Sequence, residues 1–332
     1  MIVVVFLRGG ADGLALVSPR NDTHFDREVA GPALDADFAL HPALAPLLPL
    51  YQQGVMGVVH AIGSADATRS HFDAQDRMEH GDGMGGWIAR CLASARAPWA
   101  AVALGAQPPE SMRGIPVAVF ERLDELALPS EGFHAALMAS YAGRDDVSRA
   151  GADALRALGA LRELPPRSAG YPEDPFGARM AELARLVRSG VDVELACVSH
   201  DGWDTHVLQQ ELIAGQADVL ARTLVAFMSD LGARAAEVSV VVMTEFGRRV
   251  RLNGSLGTDH GRGSVMLALG RGVQGGRVLG RWPGIHPAAL EPPGDLAVTT
   301  DYRDALFELV ASRGYDAERV FSGYTPRALG LF

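Results

Sequence analysis

The side chains able to do chemistry in this chain fall in five short clusters. "SHDGWDTH" (199–206) sets His200, Asp201, Asp204 and His206 within eight residues, and "RGGADG" (8–13) contributes Asp12. "SADATRSHFDAQD" (64–76) offers Ser70 and His71, "TEFGRR" (244–249) offers Glu245 with Arg248 and Arg249, and "GTDHGRG" (257–263) offers Asp259 and His260. Carboxylates mixed with imidazoles and free of cysteine suit Zn²⁺, Mn²⁺ or a comparable divalent ion, whereas carboxylates alone would suit Mg²⁺ or Ca²⁺. A hydroxyl beside such an ion becomes a usable nucleophile, because the ion favours its ionised form. Arg248 or Arg249 could clamp an anion, since guanidinium grips phosphate or sulfate oxygens in pairs.

Spacing sharpens some of these choices. In an extended segment Asp204 and His206 point to the same side, while on a helix His200 and Asp204 would be the facing pair. Gly202 favours a turn, so Asp204 with His206 is the expected pair, and Trp203 is expected to pack. Ser70 with Asp73 three residues on is a helix-capping pattern. A helix start is also where anions bind, so cap and nucleophile are compatible roles for Ser70. Asp12 between glycines could simply hold a tight turn. One such residue means little, and the reading depends on whether the clusters meet.

The elements between them say that they should. Apolar runs rich in Val and Ile recur at 2–7, 55–62, 100–105, 115–120, 193–198, 238–243 and 264–270. Continuous apolar runs of this length fit strands covered on both faces, hence a mostly parallel sheet. Between them lie amphipathic stretches such as "FGARMAELARLVRSG" and "VLQQELIAGQADVLARTLVAFMSDLGARAAE", with apolar residues three and four apart. The expected fold is a single α/β domain over 1–332, a central sheet sandwiched by helices, with a helical insertion or cap at 122–175. A terminal helix is expected within 299–314, with Thr300 as its cap. Four clusters follow strands and one precedes a strand, and carboxyl ends of parallel strands share one sheet edge.

Composition removes several alternatives. The 332 residues are 48% hydrophobic and 21% charged, enough to bury a large core. The net charge of −10 would repel a phosphate backbone, so no nucleic-acid partner is expected. All 30 basic residues are arginine, which excludes Schiff-base and P-loop lysine chemistry. Cys91 and Cys197 each sit in an apolar segment and read as buried thiols. No membrane span is expected, and "IVVVFLRGG" after Met1 is too short for a signal sequence.

Taken together, "VVVFLRGGADGL", "SHF", "GWDTH", "TEFGRRV", "NGSLGTDHGRG" and "TTDYRDAL" resemble a largely uncharacterised bacterial family, usually exported by the twin-arginine route, within the alkaline phosphatase and sulfatase superfamily. The likeness spans almost the whole chain. It implies an alkaline phosphatase-like fold, metal ligands at Asp12, Asp204, His206, Glu245 and His260, and Ser70 as nucleophile, with Thr68 a weaker match. His71 and Arg248 would assist catalysis. Where the superfamily carries an Asp-His pair, this chain has Glu245 and Phe246, so a two-ion site loses an imidazole; one ion, or a pair using His71 or Asp259, is the alternative. "TRSHFDA" lacks the Cys/Ser-x-Pro-x-Arg signature, which disfavours sulfatase chemistry. The resemblance implies a periplasmic or exported protein where a leader has been removed, and a cytoplasmic one where Met1 is the native start.

The leading expectation is a Zn²⁺-, Mn²⁺- or Ca²⁺-dependent hydrolase or transferase acting on a small anionic ester, phosphate before sulfate. The other is a single-metal or metal-free binding protein on the same scaffold, working with a protein partner in envelope or secretion functions. A Ser-His-Asp esterase is weaker still, because no G-x-S-x-G elbow exists.

Overall fold

The computed structural model describes every residue except 26, 28–30, 93–98, 127–129 and 162–163. Its first half runs β1 (Ile2–Leu7), α1 (Gly13–Leu16), β2 (Val17–Pro19), β3 (Phe38–Leu40), α2 (Leu48–Gln52), β4 (Met56–Gly63), α3 (His71–His80) and α4 (Trp87–Cys91). Next come β5 (Ala101–Leu104), β6 (Ala118–Phe120), α5 (Glu131–Ser140), α6 (Asp146–Ala160), α7 (Pro175–Arg188), β7 (Leu195–His200) and α8 (Gln209–Leu231). The chain closes with β8 (Ser239–Thr244), β9 (Ser264–Gly270), β10 (Val278–Leu279), β11 (Thr300–Asp301), α9 (Tyr302–Ser312) and α10 (Ala317–Val320). All seven apolar runs lie in one nine-stranded sheet of order β10-β4-β9-β8-β1-β7-β5-β6, with β11 beside β4. β2 and β3 form a separate antiparallel pair.

β1 explains why those runs are continuously apolar. Val3, Val5 and Leu7 enter one core with residues of α7 and α8, while Ile2, Val4 and Phe6 enter a second core with residues of α4, α9 and α10. Both faces are covered, so neither parity can be polar. α8 shows the helical counterpart: Ile213, Ala217, Leu220, Ala221, Leu224, Phe227 and Leu231 are buried at three- and four-residue spacing. By length and composition alone Gln209–Glu237 could cross a bilayer. In the fold, these residues of α8 line the first core. Between 122 and 175 the described residues contain no strand; α5 meets α6, where His134 Nε2 bonds to the Leu155 carbonyl at 2.9 Å.

Two sequence expectations need correction. α9 is capped by Asp301 rather than Thr300, the Asp301 carboxylate accepting from the Arg303 amide while Thr300 pairs with Ile62 in the sheet. β9 is antiparallel to both its neighbours, β4 and β8. An apolar strand buried on both faces carries no mark of direction in its sequence, so the parallel reading failed there. The reversal is what brings the "GTDHGRG" loop to the carboxyl edge of β1, β4, β7 and β8, because that loop leads into β9 instead of leaving it.

Buried histidines tie this fold to pH. His60 on β4 donates from Nε2 to the Val17 carbonyl at 2.8 Å and accepts the Ala61 amide at Nδ1, also at 2.8 Å. His200 stacks on Phe176 with centroids 4.4 Å apart. Burial lowers both from the usual 6.5 to about 4. The unfolded chain therefore binds protons in that window that the folded chain refuses, so stability present above 6.5 is lost as the pH falls through it, by up to about 3 kcal/mol per group. In chelator, the melting temperature is expected to drop between pH 7 and 5, and His200→Phe, which preserves the stack, is expected to shrink the drop. An identical pH slope in the variant would refute the assignment.

Candidate metal centre

The glycines after β1 set the site's backbone. Gly9 and Gly10 have φ of +119° and +69°, and a Cβ on Gly9 would lie 2.5 Å from the Asp204 amide nitrogen. Only glycine lets the β1 loop cross the β7 loop so closely in that conformation. Beneath the crossing, Arg248 is fully buried. Its guanidinium donates to the carbonyls of Gly9, Gly10 (2.7 Å), Thr258 (2.9 Å) and Trp203 (3.2 Å), and to Asp204 Oδ1 at 2.5 Å. The residue expected to orient an anion is thus a buried frame for four loops, with every partner inside the protein.

Above it, His71, Asp204, His206 and His260 come together. His206 Nε2 lies 3.0 Å from Asp204 Oδ1 and 2.9 Å from His260 Nε2. His260 Nε2 is 3.2 Å from Asp204 Oδ1, and His71 Nε2 is 3.5 Å from Asp204 Oδ2. Ligand atoms of His71, Asp204 and His260 all fall within 4.8 Å of one another.

The opposite ring nitrogens face outward onto acceptors. His71 Nδ1 donates to Glu245 Oε1 at 2.8 Å, and His260 Nδ1 donates to the Arg69 carbonyl at 2.8 Å. His206 Nδ1 faces Asp259 Oδ1 at 3.7 Å, and Asn253 donates to that carboxylate and to the His206 carbonyl. Carboxylate and carbonyl oxygens only accept, so the protons of His71 and His260 sit on Nδ1 in the neutral rings and their Nε2 lone pairs point inward. His71 Nε2 is buried without a hydrogen-bond partner. Inward lone pairs crowded against a carboxylate repel one another unless a proton or a cation lies between, and outward acceptors are what metal-bound imidazoles use to fix their tautomer.

The electrostatics follow the same partners. The Glu245 hydrogen bond outweighs burial and raises the pKa of His71. Burial lowers that of His260. Burial alone would push Asp204 up, but the Arg248 hydrogen bond and charge, with His206 and His260, outweigh it and hold Asp204 below the usual carboxylate range.

The other expected residues lie around this group. Glu245 is buried one layer out, accepting from His71, from Gln75 at 2.8 Å and from the Gly9 amide at 2.9 Å. Asp12 is fully buried, with Leu14 and Ala15 amides on one oxygen and Arg27 and Gln209 on the other. All of its described partners are donors of the protein, and it caps α1. Ser70 caps α3 by accepting the Asp73 amide at 3.4 Å. It stands between Arg69 and His71, both of which touch the cluster. Phe246, where the resemblance calls for an imidazole, is buried with its ring 4.9 Å from His71 and 5.0 Å from His260. His200 and Trp203 pack inside.

Sequence reasoning passed over Gln75, Asn253, Arg27 and Gln209. Gln75 had a signal, being four residues from His71 and so on the same helical face. Arg27 and Gln209 had none, because they reach Asp12 only through tertiary contact.

The chain belongs to a family described as a protein of unknown function (DUF1501), whose model matches residues 133–331, more than half of the sequence. No curated protein matches it. Among solved structures, it is similar to the C-terminal periplasmic domain of EcEptC from Escherichia coli, determined in complex with Zn, with a TM-score of 0.44 and 10% identity over 98% of this chain and 87% of that one.

The two adjacent arginines give a test of the frame. Arg248→Met leaves four buried carbonyls and Asp204 without their cation and is expected to cost about 3–5 kcal/mol in denaturant unfolding. Arg249→Met removes a half-buried pair with Asp259, at 3.2 Å, and a longer approach to buried Asp295, at 3.8 Å, which keeps its pair with Arg69, and is expected to cost about 1 kcal/mol. Similar losses for the two variants would contradict the framing role of Arg248.

Proposed function

We propose that the chain is a metal-dependent enzyme of the alkaline phosphatase type that hydrolyses or transfers a phosphate ester, using one divalent ion held by His71, Asp204, His206 and His260. The observation carrying this reading is the inward convergence of imidazole Nε2 atoms on Asp204, with an outward acceptor behind each ring. Three imidazoles and one carboxylate favour Zn²⁺ or Mn²⁺ over Ca²⁺. When bound, such an ion would draw charge from the ester's phosphoryl oxygens and favour the ionised form of a nearby hydroxyl. Glu245 and the Arg69 carbonyl hold protons at His71 Nδ1 and His260 Nδ1, keeping both Nε2 lone pairs available. Ser70 Oγ, its proton released to solvent, forms the new bond to phosphorus as the bond to the leaving oxygen breaks and that oxygen takes up a proton from solvent. The Ser70–phosphorus bond then breaks as water or an acceptor hydroxyl takes the phosphoryl group and regenerates the serine. The start of α3 supplies amide donors for the anion. A sulfate ester is the less favoured substrate.

One ion rather than two is supported by Phe246, whose ring packs on His71 and His260, and by Asp12, whose two oxygens already accept from Arg27, Gln209 and the α1 amides. The same two features favour the second reading, a binding protein on this scaffold that acts with a protein partner.

Elemental analysis after purification without chelator or affinity metal, followed by assay of phosphate-ester turnover, separates the two. Near-stoichiometric metal is expected in the parent and none in a folded Asp204→Ala/His206→Ala variant. Glu245→Gln is expected to weaken metal affinity about 10–100-fold. Ser70→Ala should retain the metal and lose turnover of phosphate esters; full activity in that variant would remove Ser70 from the mechanism. Absence of metal from the parent, even after incubation with Zn²⁺, Mn²⁺ and Ca²⁺, would leave the binding-protein reading.

A further inference from the structure

The segments that carry the ligands also carry large apolar side chains left in water. Phe72, next to His71, is 87% exposed, and Leu208 and Leu256 are 53% and 60% exposed. Val207, beside His206, pairs with Leu256 across an isolated antiparallel bridge, and the Leu208 amide donates to the Ser255 carbonyl. Leu212, on the first turn of α8 with its amide bonded to the Leu208 carbonyl, is half exposed. Of the nine large hydrophobic residues exposed among the described residues, these five adjoin the metal ligands or the strip beside them.

This is not scattered surface leucine. Leu208 and Leu256 have φ of +43° and +58°, a left-handed conformation that bulky side chains disfavour and that Asn or Gly would occupy readily. Strain and exposure thus coincide at the positions next to His206, where a functional use is the physical expectation. The rim is also continuous with the ligand cluster along the chain: Asp204 and His206 meet at 3.0 Å within the cluster, and the next two residues, Val207 and Leu208, are exposed.

We propose that the substrate is an amphiphile: a phosphate ester whose anionic head lies at the cluster and whose alkyl portion lies along Val207, Leu208 and Leu256, with exposed Phe72, next to His71, a further apolar contact. This rests on the phosphate-ester reading above and adds the nature of the esterified group. An apolar chain attached to the head must leave the site across this rim, and each methylene it removes from water strengthens binding.

The test is calorimetric titration of the metal-loaded protein with methyl-, butyl- and octylphosphonate, each below its micellar concentration, beside inorganic phosphate. Octylphosphonate is expected to bind about 10- to 100-fold more tightly than methylphosphonate. In Leu208→Asn/Leu256→Asn, which suits the left-handed backbone and should melt no lower than the parent, that ratio is expected to fall towards one. Equal affinities along the series, with phosphate and methylphosphonate still bound, would overturn the amphiphile while sparing the phosphate-ester reading. No binding of any probe would overturn both. A flat series together with self-association that the double variant abolishes would also overturn the proposal and assign the rim to contact between copies of the chain.

Discussion

The buried guanidinium of Arg248 is the constraint on which the site depends. It comes from the β8 loop and bonds the β1 loop at Gly9 and Gly10, the β7 loop at Trp203 and Asp204, and the β9 approach at Thr258. A fully buried cation must have its donors met, so the four loops cannot drift without leaving it unsatisfied. The close crossing at Gly9 and the Gly9 amide bonded to Glu245 belong to the same knot. Because Asp204 is one of the partners, the frame and the ligand cluster share an atom.

Above that frame the histidines are arranged by polarity. Carboxylate, carbonyl and amide groups occupy the outer side, and the inner side holds lone pairs and Asp204. Such an arrangement is uncomfortable in the bare protein and becomes favourable once a cation stands among the lone pairs. The exposed leucines beside His206 carry a cost of another kind, since Leu208 and Leu256 hold a left-handed backbone that bulky side chains disfavour.

The sheet was legible because burial on both faces writes itself into the sequence as continuous apolar runs, and β1, β7 and β8 could be read for the same reason as α8. The direction of β9 could not, for the physics that makes a strand apolar is indifferent to which way it runs. Convergence of the polar loops was also legible; Asp204 and His206 lie 3.0 Å apart, although tight turns at 203–206 rather than an extended segment bring them together. Helix α9 was found with its cap displaced by one residue, a matter of which side chain reached an amide first.

Residue types and spacing in this sequence by themselves determined an arginine-only, acidic chain with a doubly covered sheet, and five polar loops able to meet at one edge. Tertiary structure alone decided the role of each member of those loops. Arg248 and Asp12 read as ligand-facing residues until burial surrounded them with internal partners, and His71 became one of the convergent imidazoles because Glu245, 174 residues away, holds its other nitrogen. A side chain's chemistry is carried in its type, but whether it meets a ligand or the protein's own backbone depends on contacts between segments far apart in the chain, which no local pattern records.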